Sequence, residues 1–218
     1  IITFDHAVHF YNLKPSLSAP QMLVVPEVDD VFLPLPDDLL VNLEEAKSVV
    51  ATLLDRLPTM FAKNSSVESC LGPAVKSAFA IMSHMGGKLA VFCSTLPTAG
   101  EGKLKMREDV SALGKDKEQT LLKPADPFYK NKAVDCSRQQ ICVDLFLTAR
   151  AYTDVATLCQ LSKHTSGQVY HYPDFSAAVD GEKMYNDLYH NLTRPIGFEA
   201  VMRVRCSRGL RISGTVPS

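Results

Sequence analysis

The sequence predicts an α/β domain, a mostly parallel sheet flanked by helices, and three observations carry that expectation. Two nearly continuous apolar runs, "KLAVFCST" and "QICVDLFLTA", read as strands buried on both faces, the pattern of a parallel sheet. Amphipathic stretches with apolar residues at i, i+3, i+4 and i+7 surround them. Strands and helices alternate along most of the chain, and such alternation implies parallel strands joined by helical crossovers.

The elements follow in order. "IITFDHAVHFYNL" is rich in β-branched and aromatic residues and reads as a strand, "KPSLSAP" as a loop, and "QMLVV" as a short strand stopped by Pro26. Together they suggest an antiparallel hairpin at a sheet edge, where proline is tolerated. Asn42 with Glu45 three residues on has the form of a capping box. Ala46, Val49, Val50, Leu53, Leu54 and Leu57 form one helical face, which Pro58 should end. A second helix is expected from about Ser69, with Leu71, Ala74, Val75, Ala78, Met82 and Met85 on one side and Gly86-Gly87 as C-cap. From Leu96 to Ala125 no periodicity is visible, and loops of such length are usually functional or disordered. Asp126-Pro127 opens a further helix. Another runs from about Asp154 to Gly167, "QVYHYP" is a strand, and "AAVDGEKMYNDLYHNLTR" is a helix with Met184, Tyr185, Leu188 and Leu192 inward.

The C-terminal pattern is different. In "FEAVMRVRCS", Phe198, Ala200, Met202, Val204 and Cys206 point one way, and Glu199, Val201, Arg203 and Arg205 the other. One buried and one wet face suits an antiparallel sheet or barrel wall, and "RGLRISG" can turn back as its partner. The expected organisation is an α/β domain over residues 1–197 and the beginning of a β-type unit over 198–218.

Bulk composition narrows the function classes. The chain has 218 residues, 46% apolar and 22% charged, enough for an ordinary core. The net charge of −1 supplies no global basic field for nucleic acid, so any charge-reading site must be local. No apolar run approaches the roughly 18 to 20 residues that cross a bilayer. The first residues carry no signal-peptide pattern and no initiator Met, and they open directly in a strand, as expected of a piece cut inside a domain. None of the six cysteines forms a C-x-x-C pair, so they read as buried free thiols in a reducing compartment.

No catalytic constellation stands out. "MGGKLA" lacks the phosphate-loop spacing and joins helix to strand rather than strand to helix. His6 and His9, three apart on one strand, would point to opposite faces and could not share a metal. His164 falls near a helix C-terminus, where a partly charged imidazole is favoured. A cysteine–histidine hydrolase built on Cys93 or Cys142 is disfavoured because both thiols lie in buried runs. Arg203 and Arg205 are the exception. Two apart in a strand, they project from one face roughly 6 to 7 Å apart and require negative charge nearby, either Glu199 and solvent or a carboxylate ligand held by the guanidinium forks.

"DDVFLPLPDDLLVNL", "GGKLAVFCSTLPTAGEGKLKMRED", "LLKPADPFYK", "DLFL", "SGQVYHYP" and "NLTRPIGFEAVMRVRCSRGLR", in this order, resemble the cargo-adaptor subunits of the COPII vesicle coat over nearly the whole chain. The resemblance implies a von Willebrand factor A-like trunk domain, incomplete at its N-terminus, followed by the first strands of a β-barrel. It implies a non-enzymatic adaptor in endoplasmic reticulum to Golgi transport that binds sorting signals in the cytosolic tails of membrane cargo and SNAREs. Arg203 and Arg205 in "MRVRC" match arginines that contact acidic signals. The partner implied is the coat's GTPase-activating subunit, met trunk to trunk. The place implied is the cytosol, the cytosolic face of the endoplasmic reticulum and COPII vesicles, with peripheral membrane association and no nucleic acid. The family's zinc ribbon lies upstream of the matched region, so no cofactor is expected in this chain. The alternative is a metal-dependent ligand-binding von Willebrand domain.

"DDVFLPLPDDLLVNL" puts apolar side chains on proline-broken backbone beside the "QMLVV" edge strand. Val25, Asp29, Asp30, Phe32 and Leu35 are therefore expected at the partner interface, against the simpler reading that Phe32 and Leu35 cover the domain's own helices.

Overall fold

The structure, a computed structural model, describes residues 1–108, 113–197 and 200–213. Its contacts divide the chain into one unit of residues 1–84 with 95–105 and another of 85–94 with 106–218.

The first unit is built on an antiparallel sheet of β1 (Ile2–Phe4), β2 (Val8–Asn12) and β3 (Gln21–Val25), in that order. The single N-terminal strand expected from the sequence is thus two, and the expected edge hairpin is β2–β3. The break falls at Asp5, whose Oδ1 accepts the Ala7 backbone N–H at 3.0 Å and stabilises a tight turn without glycine or proline. Every residue of β2 is buried. Val8 and Phe10 pack with Val25, Leu39 and Cys70, and Ile2, Leu23, Val28, Val31, Leu33 and Ile81 close over them. On the alternate positions Tyr11 packs with Leu13, Val49 and Leu53.

Those last two residues belong to α1 (Leu43–Met60), whose Asn42 side chain accepts from the Glu44 N–H. Pro58 lies inside the final turn and does not end the helix before Met60, because a proline so near the C-terminus disturbs few intrahelical bonds. Ala46, Val49 and Leu53 are its buried stripe, while Leu54 is exposed. The second helix, α2 (Leu71–Met82), stops short of Met85, which is exposed. The Cys70 N–H at its start donates to the Asp5 carbonyl at 2.8 Å.

The second unit holds the parallel sheet, β4 (Gly87–Cys93), β5 (Ile141–Leu147) and β6 (Val169–His171), with β5 in the centre. Phe92, Phe146 and Tyr170 are in register across the three strands, and their rings stack with centroids 4.7 and 4.5 Å apart. The β4–β5 crossover contains α3 (Phe128–Arg138), introduced by Asp126, whose Oδ1 accepts the Phe128 N–H at 2.7 Å. The β5–β6 crossover holds two short helices, α4 (Val155–Leu158) and α5 (Gln160–Lys163), where one helix was expected. Gly167 follows, and a Cβ there would lie 1.8 Å from the Val143 carbonyl oxygen, so only glycine fits.

The long loop is anchored. Arg107 donates from Nη1 to the carbonyls of Thr120 and Lys123, and its Nη2 pairs at 2.7 Å with Asp154, the buried cap of α4. A 3₁₀ turn spans Asp116–Thr120.

Last is α6 (Ala177–Thr193). Contrary to expectation, Tyr185 and Leu192 are exposed, at 65% and 58%. The helix turns Asn191 inward instead, and its Nδ2 donates to the Tyr170 hydroxyl at 3.2 Å. Apolar residues occupy more than one side of this helix, so periodicity alone does not select the buried one. No helix of the described residues is long and apolar enough to cross a membrane.

Candidate functional site

Helix α6 ends because Arg194 precedes Pro195, which drives it to extended backbone at φ −64° and ψ 149°. Beyond it, residues 200–213 carry no strand. Phe198 and Glu199 lie outside the described residues. The alternation in "FEAVMRVRCS" needs a partner sheet to bury its apolar set, and none pairs with it among the described residues. Ala200, Met202, Val204 and Cys206 are all exposed, as are Val201, Arg203 and Arg205.

Arg203 and Arg205 thus stand in solvent, in a stretch that holds Arg208 and Arg211 and no acid between residues 200 and 213. Among the described residues no ion pair forms to either. A tight turn follows, with the Leu210 N–H donating to the Ser207 carbonyl at 3.2 Å and Gly209 at φ +95°. Chemically, this is a run of guanidinium groups, without an ion pair among the described residues, able to take carboxylates bidentately.

The residues expected at a partner interface divide. Val25 is 1% exposed and belongs to the unit's own core, so its side chain is not available to another protein. Asp29 and Asp30 are exposed. Phe32 is 60% and Leu35 44% exposed, whereas Val31 and Leu33 are partly buried against Val8, Phe10, Val25, Leu39 and Cys70. Met22 and Val24 add apolar surface on β3 itself. Leu35 adopts a left-handed conformation, φ 51°, and its carbonyl accepts the Asp38 N–H at 2.9 Å. An ordinary residue held there carries on the order of 1 kcal/mol of strain.

A cavity of about 670 Å³ opens in the second unit. Its walls come from the start of β4 and β5, the end of α3, the turn after α5 and the segment beyond α6. Lys88, Arg138 and Arg194 line it, and among the described residues no carboxylate does.

Several charged groups were not singled out by the sequence. Lys88, set aside with the phosphate-loop pattern, is a partner of Asp144, at 3.0 Å. The signal was present, since both charges interrupt strands read as fully buried. His6 and His9 do not diverge, because the turn at Asp5 brings both to one carboxylate oxygen, at 3.0 and 3.8 Å. Burial lowers the His9 pKa despite that carboxylate. The His164 pKa is also lowered, by burial and then by Lys130 and Lys163, so the charged imidazole expected at this helix end is disfavoured. Burial raises the thiols of Cys70 and Cys136 to about 11 and raises Cys142, which disfavours the thiolate form of each. Among the described residues, no three His, Cys, Asp or Glu side chains are grouped to hold a metal ion.

Comparison with known proteins gives a consistent answer. The model of the Sec23/Sec24 trunk domain matches residues 1–192. Protein transport protein SEC24 A of Arabidopsis thaliana is 51% identical over 213 residues, 97% of this chain and 20% of that protein. Human Protein transport protein Sec24B is 50% identical over 212 residues, 96% of this chain and 17% of that protein. The crystal structure of the human COPII-coat protein Sec24c superposes with a TM-score of 0.83 at 40% identity, over 87% of this chain and 26% of that one. The chain spans about a fifth of the length of the curated relatives it matches.

Proposed function

The chain belongs to the Sec23/Sec24 trunk domain family, and on that premise we propose that it is the trunk segment of a COPII cargo adaptor that reads acidic sorting signals through Arg203 and Arg205. The observation that carries this reading is the pair of guanidinium groups, two residues apart, exposed and unneutralised among the described residues. A cationic pair with no acid paired to it among the described residues suits a partner that brings its own carboxylates.

In this reading residues 1–197 are trunk and 198–218 the beginning of a β-barrel. The protein is an adaptor rather than an enzyme and needs no cofactor in this segment. It works between the endoplasmic reticulum and the Golgi, on the cytosolic face of the membrane, and selects the tails of cargo and SNAREs. The exposed residues Met22, Val24, Phe32 and Leu35, with Asp29 and Asp30, belong to the docking face for the coat's GTPase-activating subunit. Exposed apolar side chains on the edge strand β3 and on the segment that follows it support that assignment.

Affinity for one signal should be modest, in the micromolar to millimolar range, about −8 to −4 kcal/mol. Many adaptors in one coat make that sufficient. Titrating an acidic tail peptide into the complete protein that carries this chain tests the assignment. Binding should weaken at least about tenfold in Arg203→Ala/Arg205→Ala, since each charge-assisted bond is worth about 1.5–3 kcal/mol. Equal binding by a folded double variant would return the arginines to the fold.

A further inference from the structure

Ser207 follows the arginine pair by two residues in "RVRCSRG" and is exposed, as are its neighbours from residue 200 to 213. It opens the tight turn that ends at Leu210, but the bond that closes this turn is accepted by the Ser207 carbonyl, so the turn does not depend on the hydroxyl. Arginine stands four and two residues before Ser207 and one residue after it. A kinase cleft lined with carboxylates takes such guanidinium groups bidentately while the serine reaches the nucleotide. The residues leading to Ser207, 200–206, carry neither helix nor strand, so no regular structure has to be undone for them to enter a cleft. Arg203, Arg205 and Ser207 also fall on one side of the alternating pattern, with successive members roughly 6 to 7 Å apart.

We propose that Ser207 is a phosphorylation site that turns the arginine pair off. The inference rests on the adaptor reading above. The co-substrate is ATP, brought by a separate arginine-directed serine kinase. Ser207 Oγ attacks the γ-phosphorus, and the Oγ–P bond forms as the bond to the β,γ-bridging oxygen breaks. ADP leaves with that electron pair, and the hydroxyl proton passes to the kinase's base. The product carries a charge of about −1.5 to −2 at neutral pH and three strong acceptor oxygens. A phosphate so close to Arg205 satisfies the guanidinium groups from within the chain, and a carboxylate arriving from outside then meets repulsion. Ser213 also follows an arginine by two residues, but the turn at Gly209 stands between it and the pair. The competing account is that Ser207 only begins the turn, a place where serine is common.

The test uses the complete protein that carries this chain, prepared with serine or with encoded phosphoserine at position 207, and the acidic tail peptide. Phosphoserine should weaken binding about tenfold or more. Treating the same sample with a serine phosphatase should restore binding, which a misfolded protein would not show. Ser207→Ala should bind as wild type. Arg203→Ala/Arg205→Ala separates the two readings. Loss in that variant with full binding by the phosphoserine protein overturns the switch and leaves the adaptor reading intact. Full binding by both overturns the switch and the adaptor reading together. Weakening by phosphoserine with full binding by the arginine variant overturns the switch, because the phosphate then acts without the pair. Accessibility is read separately. The catalytic domain of protein kinase C, with ATP and magnesium, should place phosphate on Ser207 of the complete protein, as located by mass spectrometry. Phosphate on other residues and none on Ser207 overturns the site.

Discussion

Lys88 Nζ lies 3.0 Å from Asp144 Oδ2, and Asp144 is wholly buried in the central strand of the parallel sheet. The pair joins β4 to β5. Asp144 Oδ1 also accepts the Gln168 N–H at 2.7 Å, and Lys88 donates to the Asn191 carbonyl at 3.0 Å, so one ion pair ties both neighbouring strand connections and α6.

Removing one member leaves the other buried without its counter-charge, which costs on the order of 3 kcal/mol. Lys88→Met should therefore shift urea unfolding strongly. Lys88→Met/Asp144→Leu should recover part of the loss. A double variant as unstable as the sum of both single variants would show that the two side chains do not act on each other.

The turn at Asp5 makes stability fall in acid. Burial holds the His9 pKa below the ordinary 6.5, so the folded state binds fewer protons than the unfolded chain. Its contribution is complete above pH 6.5 and is lost as pH falls through the lowered value. Asp5 acts with the same sign in a lower window: burial raises its pKa, but the Ala7 N–H, Asn64 and the two histidines outweigh that and hold it below 3.8, so its contribution is lost as pH falls further. His9→Gln should flatten the melting temperature between about pH 5 and 7. An unaltered pH profile in that variant would exclude His9 as the source.

Phe32→Asp should leave the fold intact, because a ring already 60% exposed contributes little to the core, typically within about 0.5 kcal/mol. Capture of the GTPase-activating subunit by the same protein should fall severalfold. Undiminished capture would remove Phe32 from the interface.

Much of this fold was legible in the residues. The apolar runs of β4 and β5 identified a parallel sheet, and the spacing of Ala46, Val49 and Leu53 identified α1 and its buried stripe. What stayed hidden depended on side-chain bonds across distant segments. The break between β1 and β2 is made by Asp5 bonding its own turn, and the inward side of α6 is chosen by Asn191 bonding Tyr170. The arginine pair was visible as a pattern, but its strand required a partner that the described residues do not supply. The cavity was invisible to sequence, since its walls come from four separate segments.

The measurement that bears most directly on the central claim is selective packaging in a reconstituted COPII budding reaction. Two reporter cargoes are compared, one with an acidic cytosolic tail and one with the same tail carrying Asn and Gln for Asp and Glu. The account predicts that Arg203→Ala/Arg205→Ala abolishes the preference for the acidic tail while vesicle yield is unchanged. Retention of that preference by the variant would contradict it.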